Sequence, residues 1–561
     1  MTQREGPPPA NVNYTFSEAE LDQLRPFGDV RAHEKGAVLV NEGEARIDML
    51  VTLSGQTDII VDKPGSGPTR LGYMEAGQFA GDLGVLTGQA SLVRVEMGEG
   101  GELLHIPFDR FQRLLVENSA LSDVFIRTLT ARRDFGRSRG ISSVLIIGDA
   151  QDRSVFAARD LLTKHAIPHS WLAPETDALA TSIMEARGIA KADLPVCVRG
   201  ASRVLVKPTI EDLSEAFGLD LLPDGAQADV LVVGAGPAGL AASVYGASEG
   251  LSVLTLDTEG PGGQAGTSSK IENYLGFPMG VSGRELADRA SVQAQKFGAR
   301  IASPSQAKAL RREEDGSYCM ALRDGRTLKA RAVVIATGAQ YRRLPLDNLQ
   351  QFEGRGIYYG ATPMEAQLCG GQEVAVVGAG NSAGQGAMFL AAAAKAVHVV
   401  FRRADIRETM SEYLVRRLEE APNIHLHPQK QISALTGVPG ADPLDDRLSE
   451  VTWTNTVTGE ETRHPLGFVF LFIGAAPFTE WLPATVSRDD KGFVKTGAEL
   501  GPAELVRAGW ALERMPAPFE TSWPRVYAVG DVRRGSVKRV ASAVGEGSVV
   551  VSDVHRALAE M

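Results

Sequence analysis

The sequence of 561 residues is poor in cysteine: it has Cys197, Cys319 and Cys369 only, and it contains nine histidines. Three cysteines so far apart cannot form the dense disulfide framework of a small secreted domain. They also cannot supply the closely spaced ligands of a structural zinc site. We therefore expect neither a disulfide scaffold nor a bound metal.

A basic surface and a long apolar segment are also missing. The chain carries 58 lysine and arginine residues against 69 acidic residues, a formal net charge of −11 at pH 7. This excess of acid disfavours binding to nucleic acids. The longest apolar run, FVFLFIGAAPF at 468–478, is shorter than the about 20 residues that span a bilayer. The N-terminal residues lack the apolar region of a signal peptide. The sequence predicts a soluble, cytoplasmic protein without a membrane span.

The length and the residue pattern divide the chain into several units, since a domain usually has roughly 100–200 residues. Residues 1–140 combine short β-like runs with glycine-rich turns, and a helical stretch from Phe108 to Arg133 leads into the polar linker RRDFGRSRG. The β-like runs lie at 37–40, 49–53, 57–61, 93–97 and 103–106. Residues 141–222 show the order β-α-β-α-β-β-α, and Thr209 and Asp212 form a capping box at the last helix.

Two glycine-rich turns follow apolar strands in the rest of the chain. In ADVLVVGAGPAGLAAS at 228–243, the strand VLVV runs into Gly234, Gly236 and Gly239 and then into a helix. The first glycine permits the tight turn, the second lets the backbone approach a pyrophosphate, and the third lets helix and strand pack closely. Asp257 ends the next strand, where a carboxylate can bind an adenosine ribose. The alternative is a Rossmann-like turn that holds no nucleotide.

The second turn, EVAVVGAGNSAGQGAMFL at 373–390, has the same context. Its residues are Gly378, Gly380, Asn381, Ser382 and Ala383. The following strand ends in Arg402 and Arg403 rather than in an acid. Because arginines suit a 2′-phosphate through charge-assisted contacts, this turn predicts a preference for NADPH over NADH. The alternative is a pair of solvated arginines at the start of a loop.

Three further segments complete a family pattern. They are PGGQAGTSSKIENYLGFP at 261–278, VVIATGAQYRRLP at 333–345 and VYAVGDVRRGSVKRVASAVGEG at 526–547. The order and spacing of GAGPAG, GGQ, ATG, GAGNSA and YAVGD resemble the low-molecular-weight thioredoxin reductase family. The resemblance implies a two-domain Rossmann-like module with FAD and NADPH as cofactors, and a homodimer. It assigns 223–345 and 465–561 to an FAD-binding domain and 346–464 to an inserted NADPH-binding domain.

The resemblance also implies which residues meet the flavin. Besides the first glycine turn and Asp257, they are Gly263, Gln264, Thr267, Asn273, Thr337, Gly338, Gly530, Asp531, Arg539, Val540 and Ala541. Asp531 is expected at the ribityl or phosphate end, and the segment 539–541 near the isoalloxazine ring. Thr267 and Asn273 stay open, because one sequence does not show whether a side chain points towards the cofactor or serves the local structure.

The redox dithiol of that family is missing. Its Cys-x-x-Cys register falls on the segment from Gly360 to Pro363, which has no cysteine. Cys369 lies close by and is expected to be a packed thiol. A long-range pair with Cys319 is the alternative. An ordinary thioredoxin-reducing cycle is therefore not expected, and no side chain is assigned as catalytic, because the flavin would carry the chemistry.

The first unit resembles cyclic-nucleotide-binding domains, which implies a β-roll. QFAGDLGVLTGQASLVRV at 78–95 has the pattern of their phosphate-binding cassette, but the ribose-binding glutamate after Gly81 is Asp82. Ser91 stands where the cassette has the arginine that pairs with the cyclic phosphate, and Arg94 is three positions further on. A buried phosphate without a cationic partner is costly. We expect at most weak binding of a cyclic nucleotide, and a docking or dimerisation role is favoured.

The middle unit resembles the thioredoxin and glutaredoxin fold. Leu194-Pro195 stands where that fold carries a cis-proline. The segment GDAQDRSV at 148–155, where the active dithiol should follow the first strand, contains no cysteine. We expect a catalytically silent unit in which Cys197 is a core residue.

The leading hypothesis is an NADPH-dependent FAD oxidoreductase in which hydride passes from NADPH to flavin N5 and then to an unidentified acceptor. A ferredoxin-like or flavodoxin-like protein, a quinone or a small molecule would serve as that acceptor. A second hypothesis is a redox- or nucleotide-responsive sensor. A third is a thioredoxin-disulfide reductase that uses displaced cysteines.

Overall fold

The structure is a computed structural model that describes residues 12–63, 67–138, 144–149, 152–200, 203–220, 222–268, 271, 274–361, 363–438 and 447–560. Asn273, which the family resemblance assigned to the flavin site, lies outside these residues. Within the described part of the chain, no helix has both the length and the apolar character needed to cross a bilayer.

The first unit consists of two four-stranded antiparallel sheets and flanking helices. The strands are β1 Asp29–His33, β2 Val38–Val40, β3 Met49–Thr52, β4 Gln56–Lys63, β5 Gly67–Met74, β6 Phe79–Ala80, β7 Arg94–Glu99 and β8 Gly101–Ile106. The helices are α1 Glu18–Leu24, α2 Gly84–Thr87, α3 Phe108–Glu117 and α4 Ser119–Ser138. The sheet orders are β1-β8-β3-β6 and β2-β7-β4-β5. Phe79, Phe111 and Phe125 pack edge to face in the core, with the rings of Phe79 and Phe125 4.8 Å apart.

The predicted helical stretch from Phe108 to Arg133 is present, and it is divided into two helices. The chain forms two helices that are separated at Asn118. Asn118 is extended, and its side-chain oxygen accepts a hydrogen bond from the Leu121 N–H at 3.1 Å, so it ends one helix and caps the next. The second helix continues to Ser138 and thus takes up most of the predicted polar linker.

The middle unit has the predicted order of elements. These are β9 Val144–Ile147, α5 Arg153–Lys164, β10 Ser170–Leu172, α6 Ala178–Arg187, β11 Val196–Arg199, β12 Arg203–Val206 and α7 Ile210–Phe217. The sheet order is β10-β9-β11-β12, with β9 and β10 parallel and the other pairs antiparallel. Thr209 and Asp212 form the predicted capping box, and the Leu194–Pro195 peptide bond is cis, as predicted. Cys197 is fully buried in the core between the sheet and α5 and α7.

A large sheet begins after residue 222. Its first elements are β13 Gln227–Val233, α8 Pro237–Ser248, β14 Val253–Leu256, α9 Gly283–Lys296, β15 Arg300–Ala302, β16 Ala307–Arg312, β17 Tyr318–Leu322 and β18 Thr327–Ile335. The strand order is β15-β14-β13-β18-β17-β16, parallel from β15 to β18. The strand β19 Ala339–Tyr341 then leaves this sheet.

An inserted unit follows. Its elements are α10 Leu349–Phe352, β20 Ile357–Tyr358, α11 Pro363–Leu368, β21 Glu373–Val377, α12 Asn381–Leu390, β22 Ala396–Val400, α13 Glu412–Glu420, β23 Ile424–His427, β24 Lys430–Val438, β25 Arg447–Asn455, β26 Glu461–His464 and β27 Val469–Leu471. A parallel sheet has the order β20-β27-β21-β22-β23, and β24, β25 and β26 form an antiparallel sheet. Because β27 pairs with β20 and β21, this unit extends beyond the predicted boundary at residue 464.

The chain then returns to the large sheet. The returning elements are β28 Ala475–Pro477, α14 Pro502–Ala508, β29 Val526–Ala528 and α15 Val540–Ala559. β28 pairs with β19 at the crossing between the units, and β29 pairs in parallel with β18. One sheet is therefore built from two distant segments of the chain.

Candidate dinucleotide site

The first glycine turn has the geometry that its sequence predicted. Gly234 has φ +111° at the end of β13, and a Cβ atom there would collide with the Ala336 carbonyl. A Cβ atom on Gly239 would overlap the carbonyl oxygen of Gly234. Gly236 differs, because the nearest atom to a Cβ there is the Gly263 Cα at 3.9 Å. Gly234 and Gly239 therefore allow close packing, and Gly236 leaves open space in front of α8.

Asp257 connects this turn to the next loop. Its Oδ2 accepts a hydrogen bond from the Ala235 N–H at 2.7 Å, and its Oδ1 accepts from the N–H groups of Glu259 and Gly260, both at 3.0 Å. Burial raises the pKa of Asp257, and these three backbone bonds oppose that shift. A carboxylate oxygen has a second lone pair, so the group retains acceptor capacity for a ribose hydroxyl.

These segments surround a cavity of about 710 Å³, which is within the range of small-molecule sites. The predicted flavin residues that line it are Gly234, Gly236, Asp257, Gly263, Gln264, Thr267, Thr337, Gly338, Asp531, Arg539 and Val540. Gly239, Gly530 and Ala541 do not line it. Gly530 instead packs against α8, since a Cβ there would be 2.9 Å from the Ala238 Cβ.

Several lining side chains hold the walls by bonding to the backbone. The Gln264 amide donates to the Ala339 carbonyl, and the Thr267 hydroxyl donates to the Gln264 carbonyl at 2.8 Å. Thr337 donates to the Phe478 carbonyl at 3.1 Å. The Gln264 bond joins the GGQ segment to β19, and the Thr337 bond joins the ATG segment to the residue that follows β28. The Thr267 hydroxyl therefore bonds within its own loop. This hydroxyl supports the local structure, which is one of the two roles left open for Thr267.

The turn that contains Asp531 is held by α15. Glu546 accepts hydrogen bonds from the Gly530 N–H at 2.7 Å and from the Arg533 guanidinium at 2.6 Å. Burial raises the pKa of Asp531, while Lys538 opposes the shift. Lys538 also donates to the Asp531 main-chain carbonyl. The main chain at Asp531 is in this way fixed at the cavity wall.

The second glycine turn lies in the inserted unit. Gly378 has φ +141°, and its N–H donates to the Val400 carbonyl at 3.0 Å. Asn381 is exposed at the start of α12, and its side-chain oxygen accepts from the Ser411 N–H at 2.8 Å. Of the predicted NADPH residues, only Ser382 lines the 710 Å³ cavity. The structure does not bring Gly378, Gly380, Asn381, Ala383, Arg402 or Arg403 into it.

The two arginines after β22 differ in their surroundings. Both are exposed, and Arg403 forms an ion pair with Glu408 at 2.6 Å. The main-chain carbonyl of Arg403 also accepts a hydrogen bond from the Gln429 N–H. Arg403 would therefore have to leave Glu408 to meet a phosphate.

The segment on which the family resemblance places the dithiol register lies beside a residue that lines the cavity. A Cβ atom on Gly360 would be 3.4 Å from the Thr267 Cβ. All three cysteines are buried and free, so the alternative Cys319–Cys369 disulfide is not formed. Burial raises the pKa of Cys369 to about 11 and that of Cys197 to about 12, which keeps both thiols protonated near neutrality. Both are packed thiols, as predicted.

No pattern in the sequence assigns residues of the middle unit to this site. Phe156, Asp160 and Lys164 of α5 nevertheless line the cavity. An acid and a lysine four positions apart are an ordinary pair on a helix surface, so no sequence signal marks them. Tyr358, at the start of the inserted unit, also lines the cavity and lies against Phe156, with ring centroids 6.0 Å apart.

In the first unit, the polar residues of the cassette bond to other residues of the same unit. Asp82 accepts from the Gly84 N–H at 2.8 Å and pairs with Arg133 at 3.2 Å, next to Gly81 with φ +141°. Ser91 is buried, and its hydroxyl donates to the Val93 carbonyl at 2.8 Å. Arg94 pairs with Glu96 on its own strand at 3.5 Å.

The middle unit covers the same segment. The N–H of Ala90 donates to the Phe217 carbonyl at 3.0 Å, and the Gln89 amide donates to the His165 carbonyl at 3.2 Å. Because Arg94 is paired with an acid, it does not provide a free cation for a cyclic phosphate.

Comparison with known proteins gives two matching family models. Pyridine nucleotide-disulphide oxidoreductase matches residues 228–547, and the cyclic nucleotide-binding domain matches residues 30–118. Neither model covers the middle unit. Thioredoxin reductase of Bacillus subtilis (strain 168) is 30% identical over 334 residues, which are 59% of this chain and 95% of that protein. Bifunctional thioredoxin reductase/thioredoxin of Mycobacterium leprae (strain TN) is 32% identical over 332 residues, 59% of this chain and 66% of that protein.

Two solved structures give the same result for the fold. The thioredoxin reductase of T. acidophilum has a TM-score of 0.51 at 27% identity and covers 59% of this chain and 98% of its own. That of Lactococcus lactis has a TM-score of 0.52 at 25% identity and covers 60% of this chain and 100% of its own. The predictions of a thioredoxin reductase-type module and of an N-terminal cyclic nucleotide-binding β domain are confirmed.

Proposed function

The chain belongs to the pyridine nucleotide-disulphide oxidoreductase family and is an NAD(P)H-dependent FAD oxidoreductase, and we propose that it passes electrons from NADPH to an acceptor without any protein dithiol. The observation that carries this proposal is the residue at the vacant register, Gly360, which faces the flavin-lining Thr267. The acceptor is a ferredoxin-like or flavodoxin-like protein, a quinone or a small molecule.

The residues present fit an FAD. The open space at Gly236 and the start of α8 would receive the pyrophosphate, because unpaired N–H groups and the helix dipole favour negative charge there. Asp257 would accept from the ribose, and Asp531 would face the ribityl or phosphate end. The flavin, when bound, supplies hydride acceptance and electron transfer. The protein binds and orients it and excludes water.

The cysteines support a dithiol-free route. Cys197 lies in β11 of the middle unit, Cys319 in β17 of the large sheet and Cys369 after α11 of the inserted unit. Dithiol exchange needs two thiols with Cα atoms roughly 4.4–6.8 Å apart and an accessible thiolate. Buried thiols in three different units meet neither condition. The relatives named thioredoxin reductases are therefore poor guides to the acceptor of this chain.

The test is an anaerobic titration followed by an acceptor screen. NADPH should bleach the flavin of the purified protein, and reoxidation should be measured with thioredoxins, ferredoxins, flavodoxins and quinones. We expect thioredoxin-coupled disulfide reduction at background and turnover with another member of the screen. Robust thioredoxin reduction would instead support the displaced-cysteine hypothesis.

A second candidate function is a sensor in which the flavin state controls docking. The favouring observation is that the first unit forms ion pairs both with the middle unit and with α9 of the flavin module. Glu42 faces Arg199 of the middle unit at 3.6 Å, and Asp123 pairs with Lys296 of α9 at 2.9 Å. Steady-state turnover separates the two functions, because a sensor would be reduced once and reoxidise slowly, whereas an enzyme would cycle.

We also propose that the middle unit is thioredoxin-like and catalytically silent. The sheet order β10-β9-β11-β12 supports the fold, and the lack of cysteine at 148–155 supports the silence. The division at residues 140, 222 and 345, the homodimer and the cytoplasmic location stay predictions. Light scattering on the purified chain measures the oligomeric state.

A further inference from the structure

Helix α5 of the middle unit lies along the cavity that we assign to FAD. Three side chains on one face of this helix, Phe156, Asp160 and Lys164, line the cavity at four-residue intervals. This spacing places them one above the other, so a single helix face forms part of the wall. The middle unit has no thiol at its expected redox position. Its geometry instead suggests a role in forming the wall of this cavity.

One end of α5 holds the loop that follows Asp257. The Lys164 Nζ lies 2.6 Å from the Asp160 Oδ2 and 2.6 Å from the Glu259 Oε2. The Lys164 side chain is only 13% exposed. Burial lowers the pKa of Lys164, but the two carboxylates outweigh that effect and hold the pKa above its usual value. The ammonium is thus charged and bridges the two units.

The fit of this loop against α5 is close. Gly260 has φ +149°, and a Cβ atom there would be 2.6 Å from the Lys164 Cβ. The same loop supplies the N–H groups of Glu259 and Gly260 that bind the Asp257 Oδ1 at 3.0 Å. A continuous series of contacts therefore runs from Lys164 through the loop to the carboxylate of the ribose site.

The other end of α5 is fixed to the inserted unit. The ring of Phe156 packs against Tyr358 and joins the apolar core of that unit. Before the helix begins, Asp149 pairs with Arg447 of β25 at 2.6 Å. The helix is thus attached on both sides of the cavity, which a tethered domain without a binding role would not require.

We propose that α5 is a permanent wall of the FAD site, and that Lys164 is a positioning residue that acts through Glu259 on the loop holding Asp257. The middle unit then serves to retain the cofactor. This inference rests on the proposed assignment of the cavity to FAD. It implies that FAD leaves only when the contact between α5 and the loop opens.

The test is the rate of FAD release from the full-length holoprotein, followed by the rise in flavin fluorescence after dilution. Lys164→Met leaves two carboxylates facing each other, so we expect release to be about tenfold faster. Lys164→Arg should restore slow release. Lys395→Met is the control, because Lys395 forms an ion pair with Glu373 at 2.8 Å on the surface of the inserted unit.

A second variant keeps the test valid if Lys164→Met folds poorly. Glu259→Gln changes a side chain that is 71% exposed, and it should also speed release. The double variant should be no faster than Lys164→Met alone, because both changes break one interaction. Removal of FAD should also increase hydrogen exchange in α5, since linkage is reciprocal.

The outcomes separate this inference from the proposed function. A wild-type protein that binds no FAD would overturn both. A protein that binds FAD, with release unchanged in Lys164→Met and Glu259→Gln, would overturn the inference and leave the proposed function intact.

Discussion

The selectivity of the second glycine turn can be tested at Arg402 and Arg403. A hydrogen bond to a charged group contributes about 1.5–3 kcal/mol, which corresponds to roughly ten- to one-hundredfold in rate or affinity. Arg402 is exposed at the loop start, whereas Arg403 must first leave Glu408 at 2.6 Å. An exposed ion pair is worth about 0–1 kcal/mol, which reduces the gain from Arg403. We therefore expect Arg402→Ala to reduce the preference for NADPH more than Arg403→Ala does.

The assay is the second-order rate constant of flavin reduction, measured with NADPH and with NADH by stopped flow. The wild type should prefer NADPH, and the double variant should use both at similar rates because only the 2′-phosphate contact is lost. Arg416→Ala is a matched control, since Arg416 pairs with Glu412 at 3.2 Å on the nearby α13. Equal wild-type rates would refute the reasoning. An equal loss with both cofactors would show that the arginines support the fold instead.

Two further predictions concern the other nucleotide sites. Gly236→Val should abolish flavin binding and the yellow colour, because the new side chain enters the open space before α8. Gly136→Val in α4, where a Cβ meets no atom within 4 Å, should keep the flavin. Calorimetric titration of the full-length protein with cyclic AMP or cyclic GMP should show weak binding at most, because Ser91 replaces the arginine and the Ala90 N–H is bonded to the middle unit. Micromolar affinity would contradict this and would mean that Arg94 or backbone N–H groups supply the missing positive charge.

Local patterns predicted most of the secondary structure, and they missed elements that depend on distant contacts. All five β-like runs of the first unit are strands, because short apolar runs bounded by glycine-rich turns favour strands. β1 was missed, since four of its five residues are exposed and it is held by pairing with β8. The break at Asn118 was also missed, because the apolar period continues on both sides of a residue that can cap either helix.

The candidate site likewise has some residues that local sequence patterns predict and others that they do not. Glycine turns were predictable because backbone geometry requires glycine at Gly234 and Gly239, whatever the rest of the fold does. The wall formed by Lys164 was not, because it arises from the packing of one unit on another. β27 was assigned to the wrong side of a boundary for the same reason, since a short apolar run does not show which sheet it joins.

The last prediction concerns the three cysteines together. Cys197, Cys319 and Cys369 are all buried, so alanine is a better replacement than serine, whose hydroxyl would lose its hydrogen bonds to water. Each change removes one sulfur from a packed core and should cost about 1 kcal/mol of unfolding free energy. The triple variant should still bind FAD, accept hydride from NADPH and turn over with artificial acceptors at the wild-type rate.

A calorimetric scan of the same variant is the control for folding, because lost stability and lost chemistry must be separated. The physical reason for unchanged turnover is that buried thiols in three separate units cannot form the disulfide that a dithiol cycle requires. If the folded, FAD-loaded variant stopped turning over, electrons would have to pass through a cysteine. The proposal of a dithiol-free route would then be wrong, and the displaced-cysteine reductase would take its place.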